Sequence, residues 1–429
     1  MTRSPRTGLR IAALVGTVAL GAGALSACSP DGGGSSGDDT ITILSSWTSG
    51  NATGDQLAKN VEAFTKDTGI KVDVQEVNND DVDKTFEASA LAGEEPDLVV
   101  LNLTPSSADW LPDGLVVDVS SYLDDWGFKD ELQPGAIDYW TNDNGVNGFP
   151  FIGFNWPIWY NTDLLKQAGV DTVPATFDEL IDASHKLRDA GIQPFALGGK
   201  DWTAQNFITW MGQQYVAPED MEKVFSEGNW CDADVVKGLD LLATMRDEGV
   251  FVDNVAGYDG DQMTNAFFTG AAAMMPSGSW AYTNAPAEIA DVTELAGFPV
   301  PDGGHYDKPS AYNGHSAGFF VSKKGEENID AVQKFMQYMY SPDVLKGWVS
   351  DASQILDVTA DTVAGAESEA PLVIKGSAVT DENTSFLLLP DSYLPANTDW
   401  GPTIASEFLG QTGTTGADLC KKLEADYNK

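Results

Sequence analysis

From Thr40 onward short β-rich runs alternate with helical periods, and that alternation limits the possible folds more than any other feature of the chain. Thr40 to Ser45 (TITILS) reads as a strand, and Leu57, Val61 and Phe64, spaced i, i+4, i+7, predict a helix that Gly69 ends. Ile70, Val72 and Val74 alternate with polar residues as a second strand. Phe86 to Leu91 predicts a short helix and Asp97 to Leu101 (DLVVL) a buried strand. The order β-α-β-α-β implies a parallel sheet flanked by helices, in which ligands bind beyond the carboxyl ends of the strands. The loops beginning at Ser46 and Asn102 are therefore placed to touch a ligand. A second α/β region follows the turn Thr141-Asn142-Asp143-Asn144-Gly145. It has predicted helices at Thr162 to Ala168, Phe177 to Ala190, Val235 to Glu248 and Met263 to Phe268, and strands at Ala271 to Met275 and Ala317 to Val321. Ile329, Val332, Phe335, Met336 and Met339 mark a long amphipathic helix. A chain of 429 residues with this pattern predicts two or three α/β domains.

The N-terminus reads as an address. Residues 1–10 hold Arg3, Arg6 and Arg10 and no acid, and Ile11 to Leu25 is an apolar run too short to span a bilayer comfortably. It ends at Leu25-Ser26-Ala27-Cys28, which resembles a bacterial lipobox: residues 1–27 are expected to be a signal peptide and Cys28 the lipidated N-terminus. The alternative is an ordinary small-residue cleavage site with Cys28 incidental. Residues 28–39, rich in Gly, Ser and Asp, are expected to form a flexible tether. Their literal G-x-S-x-G and G-x-G-x-x-G strings lie between no strand and helix, and mean nothing catalytic. Export to an oxidising exterior makes Cys231 and Cys420 an expected disulfide, the alternative being two separately buried thiols.

Acidic residues number 65 against 24 basic ones, for a net charge of −41. Such a surface repels phosphate backbones and anionic lipid, which argues against nucleic-acid binding and a basic membrane patch. Three histidines and three cysteines are too few for a zinc site, and no phosphate-loop or metalloprotease motif is present, so neither a metal nor another cofactor is expected. What recurs instead is tryptophan and asparagine at turns and predicted strand ends: Trp47, Asn102, Asn155-Trp156, Asp201-Trp202, Gly278-Ser279-Trp280, Asn313 and Asp399-Trp400. An indole face stacks on the C–H face of a sugar ring while amides and carboxylates bond its hydroxyls, so this pairing points to carbohydrate.

Phe149-Pro150-Phe151, Trp159-Tyr160-Asn161-Thr162-Asp163-Leu164-Leu165 with Ala168-Gly169, and Pro174-Ala175-Thr176-Phe177-Asp178-Glu179-Leu180 form an ordered set. Gly270-Ala271-Ala272-Ala273-Met274, Gly278-Ser279-Trp280 and Ser316-Ala317-Gly318-Phe319 continue it. Together they resemble the maltose- and multiple-sugar-binding proteins of ABC importers, over nearly the whole chain beyond the tether. The resemblance implies a two-lobed α/β fold of the periplasmic-binding-protein type II class, each lobe a sheet flanked by helices, joined by crossing strands. It implies a first lobe of residues 40–153 and 315–357 and a second of 154–314 and 358–429. It also implies a ligand set of Trp47, Asn102, Asn155, Trp202, Trp280, Asn313, Asp399 and Trp400. The expected protein is a monomeric, non-enzymatic, lipid-anchored extracellular binder that hands a mono- or oligosaccharide to an ABC permease. The region around Phe154 and Asn155 lacks the acid that maltodextrin binders carry, which argues against maltodextrin. The competing readings are a surface glycoside hydrolase, a binder of polyamines or phosphorylated solutes, and an adhesive lipoprotein.

Overall fold

The computed structural model describes residues 40–359, 361–376, 378–379, 382–390, 393–394 and 401–427. Its strands are β1 (Thr40–Ser45), β2 (Lys71–Glu76), β3 (Leu98–Asn102), β4 (Thr141–Asn142), β5 (Gly145–Val146), β6 (Phe149–Trp156), β7 (Ile158–Asn161), β8 (Gln193–Phe195), β9 (Ala272–Pro276), β10 (Thr293–Ala296), β11 (Ser310–Val321) and β12 (Ser385–Leu387). The first sheet runs β12-β11-β3-β1-β2, with β6 also paired to β11, and the second runs β10-β7-β9-β8.

The first sheet begins as the sequence pattern dictates. β1 pairs in parallel with β2 and β3, and the helices Ala52–Thr68 and Asn79–Ala92 make the crossovers. The second of these helices starts well before the predicted Phe86, because its first turns are acidic and only Val82 and Phe86 are buried. The buried Asp97 carboxylate ties β1 to the start of β3 by accepting from the Thr42 amide at 2.7 Å and its hydroxyl at 2.6 Å. β11 adds to β3 antiparallel, making the sheet mixed. It begins at Ser310, not Ala317, because the polar Asn313-Gly314-His315 stretch breaks the apolar pattern without breaking the strand.

Apolar side chains form two cores. One gathers Ile41 to Ile152 with Ala317 to Val358, and the other gathers Trp156 to Tyr312 with Leu372 to Leu423. Each buried Leu, Phe or Met contributes about 1.5–3 kcal/mol, so both cores are stabilised by burial of their own. Two strands feed both cores. β6 gives Phe149, Phe151 and Ile152 to the first and Trp156 to the second; β11 gives Ala311 and Tyr312 to the second and Ala317 to Val321 to the first. A third segment runs beside β6: the Gly153 amide donates to the Ile355 carbonyl and the Asp357 amide to the Phe151 carbonyl, both at 3.0 Å. This is the two-lobed α/β fold with crossing strands that the sequence resemblance implied.

Cys231 and Cys420 are joined by a disulfide. It fixes the helix Gly416–Tyr427 to the start of the helix Ala233–Asp247, where Asp232 caps the first turn. No described helix is long and apolar enough to cross a membrane. The expected signal peptide, the tether and Cys28 lie outside the described residues.

Candidate functional site

The site grows from the second-core end of β6. Trp156 is enclosed, only 4% exposed, and two partly exposed indoles rest on it: Trp280 at a centroid distance of 5.1 Å and Trp202 at 5.4 Å. Those two lie 5.9 Å apart, and Phe154 packs edge-on against Trp280 at 5.7 Å. Trp202 is 43% exposed and Trp280 41%, in a protein that encloses most of its aromatic rings. Large apolar surface held partly in water at adjoining positions makes this group the candidate binding site.

Local sequence explains each pose. Trp202 opens the helix Trp202–Gly212, and Asp201 caps it: one carboxylate oxygen accepts from the Thr203 amide at 3.0 Å and hydroxyl at 2.7 Å. The other accepts from the Gly260 amide, at the start of the helix Gly260–Phe268, so two helix ends are fastened beside the indole. Trp280 sits in the 3-10 turn Ser279–Asn284 after β9. Its ring folds back over Gly278, where a Cβ would lie 2.1 Å from the indole, so the G-x-W spacing is a requirement for space.

Asn313 is exposed on β11 and is the register partner of Asn155 on β6. Asn155 itself is buried, and its amide is committed. Nδ2 donates to the Gly376 carbonyl at 2.8 Å and Oδ1 accepts from the Tyr282 hydroxyl at 2.6 Å. Each polar atom of Asn155 therefore already has a protein partner. Trp47 is 7% exposed and packed against Trp348 at 5.2 Å, Phe319 at 5.7 Å and Phe151 at 6.1 Å, within the core of the first sheet. Asn102 is half-buried at the end of β3, opposite Ala317. Asp399 and Trp400 lie outside the described residues.

The structure adds Phe154, which the sequence pattern did not offer as a ligand contact, and gives Trp156, noted in sequence beside Asn155 but not in the ligand set, the central place in the aromatic group. The Trp156 indole N–H is enclosed and meets no acceptor among the described residues. Between the crossing segments, His315 Nδ1 on β11 lies 2.7 Å from Oδ1 of the buried Asp357, and burial raises the Asp357 carboxyl above its usual range despite that contact. Asn142 to Gly145 form a hairpin turn between β4 and β5. No cluster of metal-ligating side chains occurs among the described residues.

Two lobes that share crossing strands, with half-exposed indoles gathered beside those strands, define a protein built to capture a small solute. The chain belongs to the bacterial extracellular solute-binding protein family, whose pattern it matches over residues 47–346. A probable secreted solute-binding lipoprotein from Streptomyces coelicolor is 33% identical in sequence, with a TM-score of 0.79 over 92% of this chain and 100% of that one. A chitin oligosaccharide binding protein shares the fold, with a TM-score of 0.78 at 22% identity over 91% of this chain and 98% of its own. An sn-glycerol-3-phosphate-binding periplasmic protein from Yersinia enterocolitica is 27% identical over 222 residues, 46% of each chain. The chain spans about half the length of the curated relatives it matches.

Proposed function

We propose that the protein is the substrate-binding component of an ABC carbohydrate importer, anchored outside the cell through lipid on Cys28. It takes up a neutral mono- or oligosaccharide between lobes of residues 40–153 with 315–357 and 154–314 with 358–429. It then delivers the sugar, as a monomer, to a membrane permease. The observation that carries this reading is the set of two half-exposed indoles, Trp202 and Trp280, seated on the buried Trp156. Indole faces and an exposed amide, Asn313, suit a ring with one apolar face and hydroxyls at its edge. Ligand touching both lobes favours the closed arrangement, because those contacts exist together only when the lobes meet.

The curated relatives favour a second reading, sn-glycerol 3-phosphate. The aromatic group argues against an anion. The helix end beside Trp202 is already occupied by the Asp201 carboxylate, and Lys200 is paired with Asp259 at 3.1 Å. The net charge of −41 further disfavours a phosphate. A thermal-shift screen with neutral sugars, sn-glycerol 3-phosphate and polyamines separates the readings. Ligand at about 100 times its dissociation constant adds roughly 2.7 kcal/mol of stability. A rise with neutral sugars supports the proposal. A rise confined to sn-glycerol 3-phosphate or to polyamines overturns the sugar, and silence throughout overturns binding.

A further inference from the structure

Asn155, Tyr282 and Gly376 come from three separate parts of the chain and meet behind Trp280. Asn155 lies on β6 between Phe154 and Trp156, two of the three rings that Trp280 packs against. Tyr282 follows Trp280 by two residues in the same 3-10 turn, is 2% exposed, and donates its hydroxyl to Asn155 Oδ1 at 2.6 Å. Gly376 ends the short helix Pro371–Gly376, and its carbonyl accepts from Asn155 Nδ2 at 2.8 Å. A Cβ on Gly376 would fall 2.5 Å from the Tyr282 ring, so this contact too requires glycine. The helix is itself held by Lys375, whose ammonium donates to the carbonyls of Ala290 at 2.7 Å, Asp291 at 3.0 Å and Thr293 at 2.7 Å. The Asn155 amide thus joins β6 to both the turn of Tyr282 and the helix that ends at Gly376.

We infer that Asn155 and Tyr282 are positioning residues for carbohydrate recognition: their buried hydrogen bond holds the Trp280 indole in the pose that stacks on the sugar. Trp280 packs on Phe154, Trp156 and Trp202 through ring contacts alone. Such contacts tolerate a tilt or slide of the indole, whereas the turn that carries it is fastened to β6 by the directional bond from Tyr282 to Asn155. Buried hydrogen bonds of this kind fix geometry, because an unpaired amide or hydroxyl in the same place is costly. The inference rests on the sugar-binding reading for its function, although the pose of Trp280 is measurable without any ligand.

Tyr282→Phe removes one oxygen and keeps the ring. In the full-length chain labelled with 5-fluorotryptophan, the Trp280 resonance is assigned by its loss in Trp280→Phe. The expected result in Tyr282→Phe is a shifted or broadened Trp280 line beside unchanged lines for Trp47 and Trp348. An unchanged Trp280 line overturns the inference, whatever the ligand. Asn155→Ala is the second variant and should alter the same line. Binding is then followed with maltose, xylobiose, chitobiose and galactose, using whichever quenches the fluorescence. Tyr282→Phe is expected to weaken that sugar about tenfold in the wild-type background and to have no further effect in Trp280→Ala. A general loss of structure would instead weaken binding in both backgrounds, which contradicts positioning. If Trp280→Ala leaves affinity intact, the site reading fails; if only Tyr282→Phe does, the positioning role alone fails.

Discussion

Trp47 and Trp202 look alike in sequence, each an indole at the end of a predicted element beside polar residues, yet their surroundings are opposite. Trp47 is closed in by Phe151, Phe319 and Trp348, whereas Trp202 is 43% exposed. Trp47→Ala should therefore destabilise the fold by about 3–5 kcal/mol in urea unfolding. Trp202→Ala should leave the midpoint nearly unchanged and weaken sugar binding about tenfold or more in a fluorescence titration. Equal loss of stability in the two variants would refute the distinction. The sequence could not make it, because the rings that bury Trp47 lie roughly 100 to 300 residues away along the chain. The partners of the Asn155 amide are hidden from the sequence for the same reason: Tyr282 and Gly376 are remote along the chain and adjacent only after folding. Asp357 gives a prediction in pH. Burial raises its carboxyl from 3.8, with the His315 contact opposing the shift and losing. A raised carboxyl stabilises the fold fully below that starting value, and the contribution is lost as pH climbs through the raised one. In Asp357→Asn that falling contribution disappears, while an acceptor for His315 remains. The variant should gain stability relative to wild type as pH rises above about 4, in urea titrations. A constant difference across pH would contradict the buried-carboxyl account.

Elements with strong periodicity were legible and elements fixed by pairing were not. β1 and the helix Ala52–Thr68 were readable because their apolar spacing repeats without interruption. The first half of β11 went unread because Asn313-Gly314-His315 is polar, and its place in the sheet comes from partners on β6 and β12. The helices Gly401–Leu409 and Gly416–Tyr427 also went unread. The structure shows what retains them. Arg246, buried on the helix Ala233–Asp247, donates to the carbonyls of Phe408 at 3.1 Å and Thr414 at 2.7 Å, and its guanidinium lies 4.7 Å from the Phe408 ring. The disulfide closes a separation of 189 residues across the same interface. In the chain-entropy model such a bridge adds up to about 5 kcal/mol. The paired Cys231→Ser and Cys420→Ser substitution should lower the thermal midpoint while the Arg246 contacts keep the C-terminal helices docked. Calorimetry checks the first and hydrogen exchange the second. An unchanged midpoint would show that the bridge adds nothing to these contacts.

At the scale of the whole molecule, two separate cores are joined through β6, β11 and the segment beside Asp357, and the proposed function requires the lobes to turn about these connections. Hinge closure of this type shifts a population, and ligand moves it only by binding one arrangement better than the other. The radius of gyration from solution scattering should fall when a bound sugar saturates the protein; a value independent of ligand would remove closure from the account. The two-lobed plan was legible because ordered motifs spread along the chain carried it. The identity of the sugar was not, because it depends on side chains that converge from loops distant in sequence. The most direct test of the central claim, a neutral sugar held on the Trp202 and Trp280 indoles, is isothermal titration of wild type and Trp280→Ala with neutral oligosaccharides and with sn-glycerol 3-phosphate. The account predicts heat from a neutral sugar, about tenfold or greater weakening in Trp280→Ala, and no binding of the phosphate. Tight binding of sn-glycerol 3-phosphate, or a neutral sugar bound equally well by both proteins, would contradict it.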